Sequence, residues 1–235
     1  MRKKEVEMSF SAPELSSLGA IPLLTKSAKN SDFLNRLSCQ IKEWWNPDLI
    51  IHNMQDLVRQ QVFQIAAGYE DADDCDLLRH DPILKLAVGH TPEERDLCSQ
   101  PTMTRLENHL SHLELWNIRN LFVNHFISSY KEEQDRIILA LDDSNSNAYG
   151  AQQLTLFNNY YGEYCYMPLF IFEAQSQRLV LLLLRPGHVN KQTNVCGLLK
   201  KLISRHLGIV SIGNTPLLSF MAMPCSLATN LWNRP

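Results

Sequence analysis

Two adjacent carboxylates at the end of a short apolar run are the residues best suited to chemistry. Arg136 to Leu141 is mostly apolar and leads into Asp142-Asp143-Ser144 and a polar stretch. A carboxylate at the end of a buried strand is costly unless it meets a cation or a hydrogen-bond donor. Phosphodiester chemistry uses such acids to hold two divalent ions about 3.5–4 Å apart. Asp142 is therefore a candidate metal ligand, and the alternative is a simple turn or helix cap.

A second group of candidates lies at the start of a predicted helix in the first half of the chain. The segment Ser99 to Thr102 precedes a helical pattern and contains a proline. One interpretation is a recognition helix whose Gln100, Thr104 and Arg105 face DNA. The other is an ordinary capped helix with proline near its first turn. The sequence leaves both interpretations open.

The remaining candidates have simpler structural explanations. His109 and His112 are three apart, but no second ligand pair accompanies them, which favours two surface histidines over a metal site. Several tyrosines could stack on DNA bases, although alternating strand aromatics usually pack: Tyr160, Tyr161, Tyr164 and Tyr166. A basic helix face is more often solvated than a track for phosphates: Lys200, Lys201 and Arg205.

Composition indicates an ordinary globular protein. Hydrophobic residues make up 45% and charged residues 20% of the 235 residues, which excludes wholesale disorder. The longest apolar run, Leu179 to Leu184, is too short to span a membrane, and the N-terminus lacks a signal-peptide pattern. The 6 scattered cysteines suit a reducing compartment, so we expect a cytoplasmic protein with no membrane partner. The net charge of −3 counts against a DNA-binding surface.

Hydrophobic periodicity divides the chain into a helical first part and a strand-rich second part. Apolar spacing predicts helices over Ser31 to Lys42, Asn53 to Ala67, Met103 to Leu110 and Leu113 to Tyr130. Strands are predicted over Arg136 to Leu141, Met167 to Phe172 and Arg178 to Leu184, the last two as a hairpin, followed by a helix over Val195 to His206 and a strand over Gly208 to Ile212. This order predicts an α+β protein in which a strand positions Asp142.

Several blocks of the sequence resemble bacterial insertion-sequence transposases with a group 1 DDE domain. Val58 to Ala72 is similar to the "RQRVYQIALGYEDAND" segment of that family. The further blocks, in the family's order and spacing, are Leu78 to Pro82, Ser99 to Asn108, Leu141 to Ser144, Gly150 to Gln153, Phe157 to Gly162, Tyr164 to Leu169 and Leu184 to Gly187. The resemblance runs from about Ser17 to His206. A series of blocks in order is far more specific than any single motif.

This resemblance implies a helical N-terminal region, residues 1–130, that binds element ends and contributes to dimerisation, followed by a partial RNase H-like mixed sheet, residues 131–207. It places the family's first catalytic aspartate at Asp142, with Ser144 two residues later, and leaves the role of Asp143 open. The implied cofactor is Mg²⁺ or Mn²⁺, with Asp142 as a ligand. The implied partners are the element's terminal inverted repeats, target DNA and, in a homodimer, a second copy of the chain.

The sequence departs from the family in two places. Ala140 stands where many relatives carry an additional aspartate. The family's second catalytic aspartate, in an "RGDSxF" block, and its later glutamate have no counterpart, and residues 208–235 do not resemble the family. Read from the third base of each codon, Ser219 to Ser226 permits "HGDAMF". We therefore interpret 208–235 as an out-of-frame tail after a frameshift between about Leu207 and Thr215; a divergent but genuine tail is the alternative.

The expected function is that of an insertion-sequence transposase, which acts by metal-dependent DNA cleavage and strand transfer. Because one aspartate cannot hold the metal ions, we expect this chain to be catalytically incomplete. One alternative is a DNA-binding regulator that occupies element ends or forms inactive mixed dimers with an intact transposase. The other is a non-functional fragment, because a half-built sheet leaves an edge and apolar faces uncovered.

Overall fold

The computed structural model describes residues 16–46, 48, 50–131, 137–150 and 155–188, together with the backbone at 219–222. The chain divides into two compact units, Met1–Asn117 and Ile118–Pro235, and the division falls within a helix. The domain boundaries expected from the sequence stay predictions.

Helices build the first unit and begin the second. They are α1 (Ile21–Ser31), α2 (Phe33–Ser38), α3 (Met54–Ala66), α4 (Asp74–Leu78), α5 (Pro82–Val88), α6 (Gln100–His109) and α7 (His112–Ser128). The helices predicted at α2, α3, α6 and α7 are confirmed, although α2 is shorter than predicted. Periodicity does not predict α1, α4 or α5. The two shorter ones, α4 and α5, span too few turns to show a repeating apolar face.

Side-chain caps explain where two of these helices begin. Asn53 precedes α3, and its side chain accepts a hydrogen bond from the backbone N–H of Asp56 at 2.8 Å. Asp81 precedes α5 and accepts hydrogen bonds from the backbone N–H groups of Ile83 and Leu84, both at 2.9 Å. Each cap satisfies amide groups that have no partner within the helix.

Polar side chains of α3 tie the helical unit together. The Gln60 side chain is buried; its amide donates to the Cys98 carbonyl at 3.1 Å and its carbonyl accepts from the Cys98 backbone N–H at 3.0 Å. The Arg59 guanidinium donates to the Val88 carbonyl at 3.0 Å. These residues belong to the Val58 to Ala72 block that carries the strongest resemblance. That block therefore holds the fold of the first unit together by connecting α3 to the segments beside it.

Strands make up most of the described part of the second unit. They are β1 (Ile138–Asp143), β2 (Ser146–Asn147), β3 (Leu156–Asn158), β4 (Glu163–Tyr166), β5 (Leu169–Glu173), β6 (Leu179–Leu183) and β7 (Ser219–Ala222). One sheet has the order β6-β5-β1-β7, and a smaller one has the order β2-β4-β3. In the larger sheet β1 and β6 are antiparallel to β5, and β7 is parallel to β1. The predicted α+β class, helices followed by a mixed sheet, is confirmed.

The larger sheet packs one face against α7. Its core includes Val123 and Phe126 of the helix and Leu139, Ile171 and Leu181 of the strands. Alternate residues of a strand point to opposite faces, so this core determines which side chains of β1 face inward.

Two of the expected elements lie outside the described residues, namely the helix over Val195 to His206 and the strand over Gly208 to Ile212. The predicted β5–β6 hairpin is confirmed. The strands β2, β3 and β4 were not expected, because they contain only two to four residues each and give no extended alternation. Strand β7 lies within the segment interpreted as an out-of-frame tail.

Candidate functional site

The candidate aspartate Asp142 lies near the end of β1, opposite Phe170 of the neighbouring strand β5. Leu139 and Leu141 pack toward the core beneath α7. Because side chains alternate along a strand, Asp142 lies on the opposite face, whereas Asp143 lies on the same face as the two leucines. The two adjacent carboxylates therefore have different surroundings.

Asp143 is neutralised by a buried arginine. The Arg185 guanidinium donates a hydrogen bond to the Asp143 carboxylate, and its Nε donates to the Met167 carbonyl at 2.9 Å. Arg185 is 5% exposed, so the ion pair compensates a charge that would otherwise be buried alone. Asp143 thus has a structural role, which the sequence left open.

The Asp142 side chain, in contrast, is partly exposed and makes no hydrogen bond or ion pair with the described residues. Its backbone is fixed by pairing with β5, and the backbone N–H of Ser144, two residues later, donates to the Pro168 carbonyl at 3.1 Å. A rigidly held carboxylate without a partner is the arrangement expected of a ligand for a metal ion.

The predicted metal site is not assembled within the described residues. No group of three or more His, Cys, Asp or Glu side chains there could hold a metal ion. Asp142 contributes one carboxylate, whereas a two-metal site needs several that bridge and flank the ions. His109 stacks on Trp44 with ring centroids 3.7 Å apart, which agrees with the structural interpretation of that histidine. The described residues alone therefore do not fit the metal centre that the resemblance implies.

The residues expected to face DNA lie on α6 but do not act as one group. The Gln100 side-chain amide donates to the Thr104 hydroxyl at 3.1 Å, so these two side chains are hydrogen-bonded to each other. The Gln100 backbone N–H donates to the Asp76 carboxylate at 3.1 Å. Arg105 is exposed, makes no hydrogen bond or ion pair with the described residues, and lines a cleft together with Thr102.

An aromatic ribbon, formed by Phe157, Tyr160 and Tyr164 of β3, β4 and the turn between them, follows β1 in the chain. Tyr160 is 81% exposed and Tyr164 is 60% exposed, so packing does not explain these two tyrosines. Phe157 contacts Tyr164 edge to face, with ring centroids 5.4 Å apart, and is itself 45% exposed. Exposed aromatic rings on a short sheet can stack on unpaired bases. The clustering of these aromatic residues was visible in the sequence, but their exposure was not.

The segment Leu184 to Gly187 connects this ribbon to the larger sheet. Pro186 forms a bridge with Tyr166, and the Asn158 side chain donates to the Gly187 carbonyl at 2.8 Å. A Cβ atom at Gly187 would overlap the Cys165 carbonyl oxygen, so only glycine fits there. The sequence did not indicate that this segment joins the two sheets, although the segment is among the blocks that resemble the family.

These features define a helical unit followed in the chain by a mixed sheet. The aspartate near the end of the first strand has no side-chain partner among the described residues, and this is the class of protein that the resemblance implies. The family model described as Transposase DDE domain group 1 matches residues 1–208. The chain belongs to this family. Members catalyse DNA transposition, bind DNA and typically depend on divalent metal ions. None of the described helices is long and apolar enough to cross a membrane.

Comparisons with curated proteins and with solved structures found no match.

Proposed function

We propose that this chain is an insertion-sequence transposase that binds the ends of its element and retains Asp142 as the first metal-binding carboxylate of a DNA cleavage and strand-transfer site. The observation that carries the proposal is the contrast between two neighbours. Asp143 is held by Arg185, whereas Asp142 has no partner among the described residues. Membership of the transposase family supports the reaction type.

The chain is proposed to be catalytically incomplete. The family's reaction needs carboxylates from three sequence positions, and the second and third motifs have no counterpart in these 235 residues. The end of the family match at residue 208 supports the interpretation of 208–235 as an out-of-frame tail. Sequencing the gene tests this interpretation, and an intact downstream frame without a Gly-Asp motif would contradict it.

The register of β7 supports the same interpretation. In the shifted frame, the codons of Met221 and Ala222 together specify glycine, and the codons of Ala222 and Met223 permit aspartate. Ala222 is aligned with Leu141, the residue before Asp142, in the parallel pairing of β7 with β1. If the residues of the corrected frame kept this register, the second carboxylate would lie next to Asp142 in the sheet.

A DNA-binding regulator is the second candidate function. The helical unit has its own hydrophobic core, which includes Ile21, Phe63, Leu84, Val88 and Leu97. A unit with its own core could occupy element ends without a complete catalytic sheet. Either function would place the protein on DNA in the bacterial cytoplasm.

Gel-shift and cleavage assays on a duplex with the element's terminal inverted repeat test the proposal. We expect this chain to shift the duplex without cleaving it in Mg²⁺ or Mn²⁺. A protein with the corrected reading frame should cleave the duplex and should lose this activity on Asp142→Asn, but not on Glu163→Gln, which alters an exposed carboxylate of the same unit. Cleavage by the present chain, or full activity of the corrected Asp142→Asn protein, would contradict the proposal.

A further inference from the structure

A cleft with a cationic lining opens in the helical unit. It has a volume of about 410 Å³ and lies between the segment that contains Trp45 and His52, the end of α4 and the start of α6. Its polar lining includes Arg79, Thr102 and Arg105. The resemblance assigns no role to this cleft.

The Arg79 guanidinium has unused hydrogen-bonding capacity. Its Nε is buried without an acceptor among the described residues. Its terminal nitrogens lie 3.9 Å from Asp76 and 3.7 Å from Asp96, which is within ion-pair range but beyond hydrogen-bond distance. The side chain remains 33% exposed. An acceptor bound in the cleft would satisfy donors that have no hydrogen-bond partner in the described part of the chain.

Arg79 shares one of its two nearby carboxylates, Asp96, with other basic side chains. Asp96 is already contacted by Lys85 at 3.2 Å and His80 at 2.9 Å, and hydrogen bonds from these two side chains lower the pKa of its carboxyl group. Burial, followed by the charge of Arg95, lowers the pKa of His52. Burial is the larger of these two causes, and the charge of Arg95 adds a positive contribution to the potential at His52.

Arg105 adds a second guanidinium to the lining of the cleft. It is exposed and unpaired among the described residues, and Thr102 precedes it by three residues, so the two share one side of α6. Guanidinium groups match the geometry of phosphate oxygens, and threonine hydroxyls commonly contact phosphates. The indole ring of Trp45, which is half-buried, offers a surface for a sugar or base.

We propose that this cleft binds a backbone phosphate of DNA through Arg79 and Arg105. The inference rests on the proposed DNA-binding function and specifies how the first unit contacts its ligand. Because phosphates carry no sequence information, the contact should position the protein on the duplex without reading bases. This differs from the predicted recognition helix, in which Gln100, Thr104 and Arg105 together face DNA.

Fluorescence anisotropy with the full chain tests the proposal on two duplexes, one with the terminal inverted repeat and one with a scrambled sequence, over a range of salt concentrations. Arg79→Gln and Arg105→Gln should each weaken binding of both duplexes by about tenfold. Each variant should also reduce the slope of log K against log salt by about 0.9, the value for one lost phosphate contact. Arg36→Gln is the matched control, since Arg36 does not line the cleft.

Arg105→Gln keeps the test informative if Arg79→Gln fails to fold, because Arg105 is exposed and unpaired among the described residues. Wild-type affinity and salt slope in Arg105→Gln would overturn the proposal, as would weakening of the inverted-repeat duplex alone or failure of the wild-type chain to bind either duplex. Stronger competition by polyglutamate than by duplex would overturn it in favour of a carboxylate ligand. Equal, arginine-dependent binding of both duplexes would support the cleft but contradict recognition of element ends.

Discussion

Replacing Asp143 by asparagine should destabilise the second unit, whereas the same change at Asp142 should leave its stability unchanged. Asp143 accepts a hydrogen bond from Arg185, which is 5% exposed. The variant would leave that guanidinium buried without its counter-ion. Asp142 has no partner among the described residues, so its carboxylate contributes no comparable interaction.

The expected magnitude follows from the burial of the two partners. Removing one member of a buried ion pair costs about 3–5 kcal/mol. The Asp143 side chain is 30% exposed, so solvent already screens part of the interaction. The hydrogen bond from Arg185 to the Met167 carbonyl also remains. We therefore expect a loss of about 2–3 kcal/mol in the free energy of unfolding, or a melting temperature lower by about 10 °C.

Differential scanning calorimetry and hydrogen exchange of the β1 and β5 peptides measure this loss. Asp142→Asn is the matched control, because it makes the same chemical change at the adjacent position. The double variant Asp143→Asn with Arg185→Met should recover part of the stability, since it removes the uncompensated charge. Equal stability of Asp143→Asn and the wild-type protein, or a larger loss in Asp142→Asn, would refute the reasoning.

Three further substitutions test a buried pair of hydrogen bonds, a close backbone contact and a hydrogen-bonded carboxylate. Gln60→Met leaves the buried N–H and carbonyl of Cys98 without partners and should cost about 2–4 kcal/mol in urea unfolding; an unchanged midpoint would contradict this. Gly187→Ala places a Cβ atom against the Cys165 carbonyl oxygen and should cost about 3 kcal/mol or more by thermal melting. The control is Gly19→Ala, where space is open and φ is not positive; equal melting temperatures would argue against the clash. Burial raises the pKa of Glu173, but hydrogen bonds from Ser176 and Gln175 outweigh it and lower the pKa overall. The resulting stability is present above the ordinary carboxyl pKa and is lost as pH falls through the lowered value, so Glu173→Gln should flatten the acid side of a melting-temperature profile; an unchanged slope would count against it.

Much of the helical unit could be predicted because its longer helices repeat apolar residues at helical spacing. The bounds of α3 and α7 follow closely from that pattern and, for α3, from the Asn53 cap. The short helix α5 was missed, although the Asp81-Pro82 pair that starts it is a recognisable cap signal. Strands β2 to β4 were missed because isolated two- to four-residue strands depend on tertiary pairing.

The candidate site was only partly predictable. Sequence reasoning selected Asp142 through a resemblance, but it could not separate the roles of Asp142 and Asp143, because the distinguishing arginine lies 42 residues from Asp143 in the chain. Likewise, the side of α6 that faces solvent depends on which residues pack inward, here Met103 and Leu106. Because Met103 and Leu106 pack inward, Arg105 lies at the cleft.

The net charge of −3 is compatible with DNA binding because electrostatic attraction is local. Charges separated by more than about 8 Å are largely screened at physiological ionic strength, so the arginines that line the cleft matter more than distant carboxylates. The one phosphate proposed to bind in the cleft would contribute only about −0.9 to the salt slope. Such a shallow dependence means that counter-ion release contributes little affinity, and that preference for element ends must come from contacts to bases or from the shape of the duplex. An acidic chain can therefore act on DNA if its few phosphate contacts mainly set its orientation.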